Sequence, residues 1–379
     1  MKNWTFKYTP QLGEKEFDWQ GITNDFTWIQ ALQNCPQDPI HHAEGDVYIH
    51  TQMVLNELVH LPYFDTLNPS ERSQLFLATL MHDIGKPTCT KQDTQGRITS
   101  PGHAKKGAAM ARPILYRGIP NPVPFQYREN IFHLIRHHGL PLWFWDKPNP
   151  EKVVLKVSQS LHNLETLSYL AEADAKGRIC NDLEELLSRI DFFREFTQEQ
   201  KCYKAPYPFE NELSRFNYFH KADASPTYVP FDDSTCQVIL LCGLPGVGKN
   251  TWIEQNGQDL PVISLDDIRR ELNVKHTDNQ GIIFQTSKER AKVYLRKKQS
   301  FIWNATNLLR QHRSALIDLF TTYKAVVKIV YLEVNYKTLL QRNKTRQHPL
   351  PFKTLERYIN KLEVPEIWEA HEVIYKVND

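Results

Sequence analysis

The sequence predicts a multidomain protein in which an all-α half is followed by an α/β half built on a parallel sheet. Three observations support this. Up to about residue 200, apolar residues recur at helical spacing, as in Leu161, Leu164, Tyr169 and Ala171, and strand-like runs are nearly absent. After about residue 235, short β-rich runs each precede a helical pattern: QVILLC (237–242), PVIS (261–264), FIWNA (301–305) and AVVKIVYLEV (325–334). Strands alternating with helices predict a parallel sheet with crossover helices. Between the two textures lies a stretch rich in proline and aromatic residues, expected to be an extended connector that packs on its neighbours, because a flexible linker would be poor in aromatics. The expected division is residues 1–200, a connector over 201–235, and 236–379.

Composition narrows the function classes. With 379 residues, 41% hydrophobic and 24% charged, the chain has the balance of a globular protein of two domains. A formal charge of +2 excludes a strongly basic global field, so any nucleic-acid contact has to come from a local patch. The opening MKNWTFKYTP has no apolar stretch behind its lysine, and no run of about 18 apolar residues occurs, so a cytoplasmic chain without membrane contact is expected. Six cysteines form no C-x-x-C pair and read as reduced core thiols, which leaves histidines and carboxylates to hold any metal.

Seven residues of the helical half stand out: His50, His82, Asp83, His103, His137, His138 and Asp174. In LATLMHDIGKP, Leu75, Ala78 and Thr79 precede His82 by one or two turns, which puts the imidazole on or beside the core-facing stripe before Gly85 and Pro87 stop the helix. His50 shares the side of Val54, and Asp174 follows Leu170 and Ala171 by one turn, which places a carboxylate on a buried face. A lone histidine there would be an ordinary core residue, but a buried carboxylate costs several kcal/mol unless it is paired or bound to metal. Imidazoles and carboxylates converging between helices are the ligand set for one or two transition metals (Mn, Fe, Ni, Co or Zn), and such a centre lowers the pKa of bound water for attack on phosphorus. His41, His42 and His60 fall outside the pattern and are expected to be structural or surface residues, while Lys86 could contact a phosphate or remain solvated.

The succession of His50, His82, Asp83 and Asp174 resembles the four core metal ligands of the HD phosphohydrolase superfamily. HHAEGDVYIHT and EADAKGR are especially similar to the HD domain of bacterial tRNA nucleotidyltransferases. His103 in PGHAKKGA and His137 in LIRHHGLP resemble the extra histidines of two-metal HD enzymes, with His138 serving instead of or alongside His137. The resemblance implies that Asp83 is required for phosphohydrolysis.

In LLCGLPGVGKNTW, Gly243, Gly248 and Lys249 have the spacing of a phosphate-binding loop, and the loop follows an apolar strand and opens a helical pattern, as that motif requires. Backbone N–H groups around Gly243, Gly246, Val247 and Gly248 would face the nucleotide phosphates, with Lys249 adding charge. Asn250 stands where a Ser or Thr would hold Mg²⁺; its amide oxygen is also an acceptable ligand, and Thr251 lies about 100° further round the helix, so either is a candidate. The expected cofactor is an NTP, ATP or GTP, with Mg²⁺ or Mn²⁺. A guanine-reading N-K-x-D string is missing, since Arg346 takes the place of its Asp in RNKTR. VISLDDIRREL sets Asp266 and Asp267 at the carboxyl end of a strand with Arg269 beyond, where a carboxylate can accept the proton of an attacking hydroxyl; the alternative is helix-start acids balancing the macrodipole. Arg342 and Arg346, four apart on one helical face, either clamp donor phosphates or form a solvated face.

Taken together, GLPGVGKNTW, SLDDIR, WNATNLLRQHR and QRNKTR resemble the kinase domains of phage and bacterial end-healing polynucleotide kinases. That resemblance implies Asp266 as general base toward a 5′-hydroxyl, Arg269 as the grip on the acceptor phosphate, and Arg342 and Arg346 as lid residues on the donor. It also implies a helix-capping position at Thr306 and Asn307 and an acceptor-strand contact at Arg310 or Arg313. Over essentially its whole length the chain resembles the bacterial HD-Pnk end-healing enzymes, in which an all-α HD domain is followed by an α/β P-loop kinase. The implied activities are NTP-dependent phosphorylation of 5′-OH polynucleotide ends and metal-dependent removal of a 2′,3′-cyclic or terminal phosphate. RNA or DNA ends are the implied partners, with an RNA ligase acting in the same pathway. Two other readings stay open: a small-molecule or nucleoside kinase fused to a nucleotide phosphohydrolase, and a non-catalytic sensor of nucleotides and RNA ends, for which Asn250 is the strongest argument.

Overall fold

The computed structural model describes residues 4–118, 122–161, 163–257, 259–275 and 278–378. The chain divides into two compact units, Met1–Pro208 and Phe209–Asp379. No described helix is long and apolar enough to cross a membrane.

The first unit is helical. Its main helices are α1 (Val47–His60), α2 (Pro69–Met81), α3 (His103–Arg117), α4 (Phe125–His137), α5 (Glu165–Lys176) and α6 (Leu183–Glu199), with a short antiparallel hairpin of β1 (Lys91–Gln92) and β2 (Ile98–Thr99). Asp46 starts α1 by accepting from the Ile49 N–H. Asn68 and Glu71 start α2 with a capping box, and Pro69 fits the first turn because its missing N–H has no partner there. Helix α2 is the centre of the unit: every residue from Arg72 to Lys86 is buried. Leu75, Phe76 and Ala78 of α2 join Val54, Leu55 and Leu58 of α1, Ile131 and Leu134 of α4, and Leu167 and Leu170 of α5 in the core. Each such large apolar side chain contributes about 1.5–3 kcal/mol on burial. Two glycines permit the close approaches that the site needs. A Cβ on Gly85 would stand 2.2 Å from the His103 carbonyl oxygen, and one on Gly177 would stand 2.8 Å from the Val54 backbone. The first contact sets the turn after His82 and Asp83 against the start of α3, and the second brings the end of α5 onto α1.

The second unit has five parallel strands, β3 (Cys236–Cys242), β4 (Val262–Ser264), β5 (Phe301–Asn304), β6 (Ala325–Val334) and β7 (Glu372–Asn378), in the order β4-β5-β3-β6-β7. Val238 is in register with Phe301 on one side and Val327 on the other, so β3 is central, and its interior residues Val238, Leu240 and Leu241 are fully buried. The helices are α7 (Glu212–His220), α8 (Lys249–Asn256), α9 (Leu265–Glu271), α10 (Gly281–Arg296), α11 (Arg310–Thr322), α12 (Tyr336–Thr345) and α13 (Phe352–Lys361). The strands that follow β3 are added first on one side of it (β4, β5) and then on the other (β6, β7), so its carboxyl end opens a crevice of the kind that binds ligands in such sheets.

Three expectations need correction. The stretch 201–235 is not an extended connector throughout: Asn211 caps α7, whose Phe216 stacks on His371 at 3.8 Å within the second unit, while Tyr203 belongs to the first unit, where its carbonyl accepts from the Leu164 N–H at 2.7 Å. Strand β7 was not expected, because its Glu372 and Lys376 interrupt the apolar run of an edge strand that pairs on one side only. Arg313 is no acceptor contact. It is fully buried, its guanidinium lying 2.7 and 2.9 Å from the two Glu369 carboxylate oxygens and donating to the carbonyls of Asn307, Leu308 and Glu363. We expect Arg313→Ala to lower the stability of the second unit by about 2–4 kcal/mol, since it strips three carbonyls of their donor and leaves the buried Glu369 only the half-exposed Arg310, 3.1 Å away, as counterion. Urea unfolding followed by tryptophan fluorescence checks this; a loss below about 1 kcal/mol would mean that the pair is dispensable.

Candidate metal centre and phosphate loop

Six of the seven residues singled out in the helical half converge. His50 comes from α1, His82 is the residue at which α2 ends, Asp83 follows it, His103 opens α3, His138 closes α4, and Asp174 lies in the last turns of α5. The carboxylate of Asp83 is the hub. Its Oδ2 lies 3.2 Å from His82 Nε2, 3.8 Å from His50 Nε2 and 2.7 Å from Lys86 Nζ, and its Oδ1 lies 3.4 Å from His103 Nε2. Asp174 Oδ1 is 3.1 Å from His50 Nε2, and its Oδ2 is 2.7 Å from Arg178 Nη2. His137 is the exception: it stacks on His133 one turn away at 6.1 Å, and His138 occupies the cluster, because residues one apart on a helix face different directions.

The donor set fits a metal, and the hydrogen bonds show why. Nδ1 of His82, His103 and His138 lies 2.7, 2.7 and 2.8 Å from the carbonyls of Thr79, Ser100 and Ile135. A carbonyl only accepts, so each Nδ1 carries a ring proton, and a ring in its neutral form turns an Nε2 lone pair inward. His103 Nε2 and His138 Nε2 then face each other at 3.3 Å. Two lone pairs at that distance repel unless a cation or proton stands between them. His82 Nε2 and Asp83 Oδ1 are buried with no hydrogen-bond partner among the described residues. The donors form two groups that share Asp83, one with His50 and His82, the other with His103 and His138. Outward Nδ1 bonds with inward Nε2 atoms are the arrangement by which proteins orient histidine ligands.

Electrostatics agree. Burial alone would raise the Asp83 carboxyl, but the charges of His82 and Lys86 hold it well below the usual carboxylate range. Asp174 is likewise raised by burial and brought well below its usual range by Arg178 and His50. Burial, reinforced by His82 and His103, pushes His138 down to about 3, which keeps it a neutral donor. Two contributors escaped the sequence reading. The Glu44 side chain is shielded from solvent, with Oε1 2.8 Å from Nδ1 of both His50 and His42, and its Oε2 accepts from the Ile179 N–H at 2.9 Å. These residues precede α1, where no apolar periodicity exists to betray which side chains turn inward. Arg178 was equally hidden, since it follows the last helical turn and only the fold shows it beside Asp174.

In the second unit the turn after β3 is a loop whose Gly243, Gly246 and Gly248 have φ of 147°, 89° and 106°, values that side chains rarely adopt. A Cβ on Gly243 would stand 2.4 Å from the Leu332 carbonyl oxygen of β6. Lys249 donates to the carbonyls of Gly243 and Leu244 at 3.0 and 2.9 Å, and burial pushes its ammonium down to about 8. Arg342 reaches in from α12 to donate to the Val247 carbonyl at 3.0 Å, while Arg346, at the end of α12, is exposed. Asn343 closes the segment after it with two bonds to the Leu350 backbone, at 2.9 and 3.0 Å. Asn250 Oδ1 accepts from Asn304 Nδ2 at 2.9 Å at the carboxyl end of β5, and Thr251 is exposed. Asp266 lies in the first turn of α9, beyond the strand end, and is paired with Arg269, whose Nε donates to Gln280 at 3.2 Å. Asp267 pairs with Arg270. Thr306 and Asn307 do not cap α11, which starts from Leu309. They fasten the turn after β5 to β3: the Thr306 carbonyl accepts from the Gly243 N–H at 3.0 Å, and Asn307 Nδ2 donates to Leu241 at 2.6 Å.

The divergence of the two adjacent histidines gives a direct check. His138→Ala should lower divalent-metal affinity about 10–100-fold, the range typical of losing one contributor to such a site, while His137→Ala should leave metal content unchanged by elemental analysis after dialysis. The reverse order would overturn the donor set.

Comparison with known proteins gives a matching picture. Residues 47–164 match the family described as HD domain, and residues 238–365 match the one described as AAA domain. The chain is 31% identical over 115 residues to the multifunctional CCA protein of Methylococcus capsulatus, covering 30% of this chain and 24% of that protein. It is 28% identical over 163 residues to that of Mannheimia succiniciproducens, covering 40% and 35% respectively. The chain thus spans about a third or less of the length of these curated relatives. A putative kinase from Chloroflexus aurantiacus aligns in structure with a TM-score of 0.34 and 17% identity, over 38% of this chain and 86% of that one. The chain joins an N-terminal helical HD domain to a C-terminal domain with the parallel sheet of a P-loop kinase fold.

Proposed function

We propose that the chain is a bifunctional nucleic-acid end-healing enzyme, acting on RNA or DNA ends. The observation that carries this reading is the presence, on one polypeptide, of a His and Asp cluster suited to hydrolysing phosphate esters and a phosphate loop suited to transferring phosphate. Strand breakage by transesterification leaves a 2′,3′-cyclic phosphate and a 5′-OH, and a ligase that joins 3′-OH to 5′-phosphate can use neither. One unit would remove phosphate at the first terminus and the other would add it at the second. An RNA ligase would then act on the product.

In the kinase reaction Asp266 takes the proton of the 5′-hydroxyl as its oxygen bonds to the γ-phosphorus and the bond to the β-phosphate oxygen breaks, releasing NDP. Its partner Arg269 would orient that carboxylate and hold the acceptor phosphate. Lys249, Arg342 and Arg346 offset charge on the transferred group, and Asn250, oriented by Asn304, would offer its oxygen to Mg²⁺ or Mn²⁺. In the other reaction, His50, His82, Asp83 and Asp174 would hold one divalent ion and Asp83, His103 and His138 a second, drawn from Mn, Fe, Ni, Co or Zn. Such ions lower the pKa of a coordinated water and neutralise the phosphate. Arg178 keeps Asp174 anionic and aimed at His50, and Lys86, between Asp83 and Gln37, is poised to meet a phosphate oxygen.

A dual-end assay with a 5′-OH oligonucleotide, labelled NTP and a 2′,3′-cyclic-phosphate oligonucleotide tests the proposal. Lys249→Ala should reduce label transfer by about 100-fold or more while phosphate removal persists, and Asp83→Ala should do the converse. Asn250→Ser should stay within about tenfold, about 1.4 kcal/mol in the barrier. Label transfer to free nucleosides but to no oligonucleotide would instead make the second unit a small-molecule kinase.

A further inference from the structure

The charge of this chain is concentrated in one place. Between residues 336 and 361 there are seven Lys and Arg residues against a single acid, Glu356, whereas the rest of the chain has a formal charge of −4 if the whole is +2. All seven cations are exposed, and none forms an ion pair with a described carboxylate. Three of them, Lys353, Arg357 and Lys361, stand four apart along α13 and so form one stripe, with about 6 Å of axial rise between neighbours. The exposed Phe352 lies at its start. Glu356 does not neutralise the stripe, because it sits off that face and accepts from the Tyr336 hydroxyl at 3.0 Å.

The stripe is fixed relative to the phosphate loop. At one end α13 is tied to α12, which carries Arg342, by the Tyr336 and Glu356 bond and by the Asn343 clasp on Leu350. At the other end Glu363 donates its N–H to the Leu308 carbonyl at 3.0 Å and accepts from the Arg310 N–H at 2.6 Å, in the turn after β5. Both anchoring segments flank the loop. The apolar side of α13, Leu355 and Ile359, is buried in the unit, so the amphipathic pattern leaves no apolar face for a lipid surface.

We infer that the α13 stripe, continued by Lys344 and Arg346, is a track for the phosphates of a single-stranded polynucleotide whose 5′ end enters the kinase site. This rests on the polynucleotide-kinase reading. The three stripe cations span about 12 Å, which at about 3.4 Å per stacked nucleotide covers about four nucleotides. Isolated solvated lysines would need no such spacing, no shared face and no anchoring to the loop's flanks.

The test compares acceptors of different length in the full chain. In K353E/R357E/K361E the KM for a 5′-OH strand of about twelve nucleotides should rise about tenfold or more with kcat unchanged, while the KM for a 5′-OH dinucleotide stays the same. The salt dependence of strand binding should flatten by about two in log–log slope, at about 0.7 per lost single-strand phosphate contact. The neutral variant K353Q/R357Q/K361Q should fall between, with wild-type circular dichroism. Equal shifts for both acceptors, or none for the longer one, would overturn the track. Anisotropy binding of the labelled strand to Lys249→Ala separates the two ideas: stripe-dependent binding without any phosphate transfer by the wild type sinks the kinase reading and leaves the track standing. Stripe-dependent binding to phosphatidylglycerol vesicles, with no strand binding, would overturn the track in favour of a lipid surface.

Discussion

A buried carboxylate must be met by positive charge, and the helical unit is organised around that requirement at Asp83. Left alone in the interior, the group would cost several kcal/mol or take up a proton. The chain instead brings Lys86, His82, His50 and His103 to its two oxygens. Those partners come from three helices and a turn, so the burial of one side chain dictates where α1, α2 and α3 must meet. The glycine contact between Gly85 and the start of α3 follows from the same demand, since a side chain there would push His103 away.

The same physics recurs in the second unit with the signs reversed. Lys249 is half-buried at the mouth of the phosphate loop, and partial desolvation lowers its pKa, which means that the charged form gains when an anion arrives. Its ammonium meanwhile rests on the loop's own carbonyls. Arg313 shows the structural counterpart, a buried cation fully satisfied by Glu369 and three carbonyls. Both are arginine or lysine in a motif-bearing stretch of sequence. Only the presence or lack of a resident carboxylate distinguishes the group that can accept a ligand from the group that cannot.

Distribution of charge matters more here than its total. A net charge of +2 would bring no polynucleotide to the surface from a distance. Clustering seven cations over α12, α13 and the segment between them creates a local positive field beside the loop while the remainder of the chain stays acidic. Such asymmetry favours approach of an anion at one edge and disfavours it elsewhere.

Residue spacing by itself determined the two fold classes, four of the five parallel strands, the loop glycines and the buried placement of His50, His82 and Asp174. Each of these is a local property: periodicity reports which side of an element is buried, and positive φ reports where only glycine fits. Tertiary structure decided the rest. His137 and His138 are equivalent as sequence, and a rotation of about 100° per residue sent one to the cluster and the other onto His133. Glu44 and Arg178 lie outside helical periodicity, so nothing local marks them as partners of His50 and Asp174. Arg310 and Arg313 carry the same charge three residues apart and both reach Glu369, yet Arg310 is half exposed over Trp368 and Arg313 is sealed in the interior, and Glu369 lies more than fifty residues away from either. Which face an element buries is written in its own residues; which charges meet across elements depends on contacts that no single segment contains.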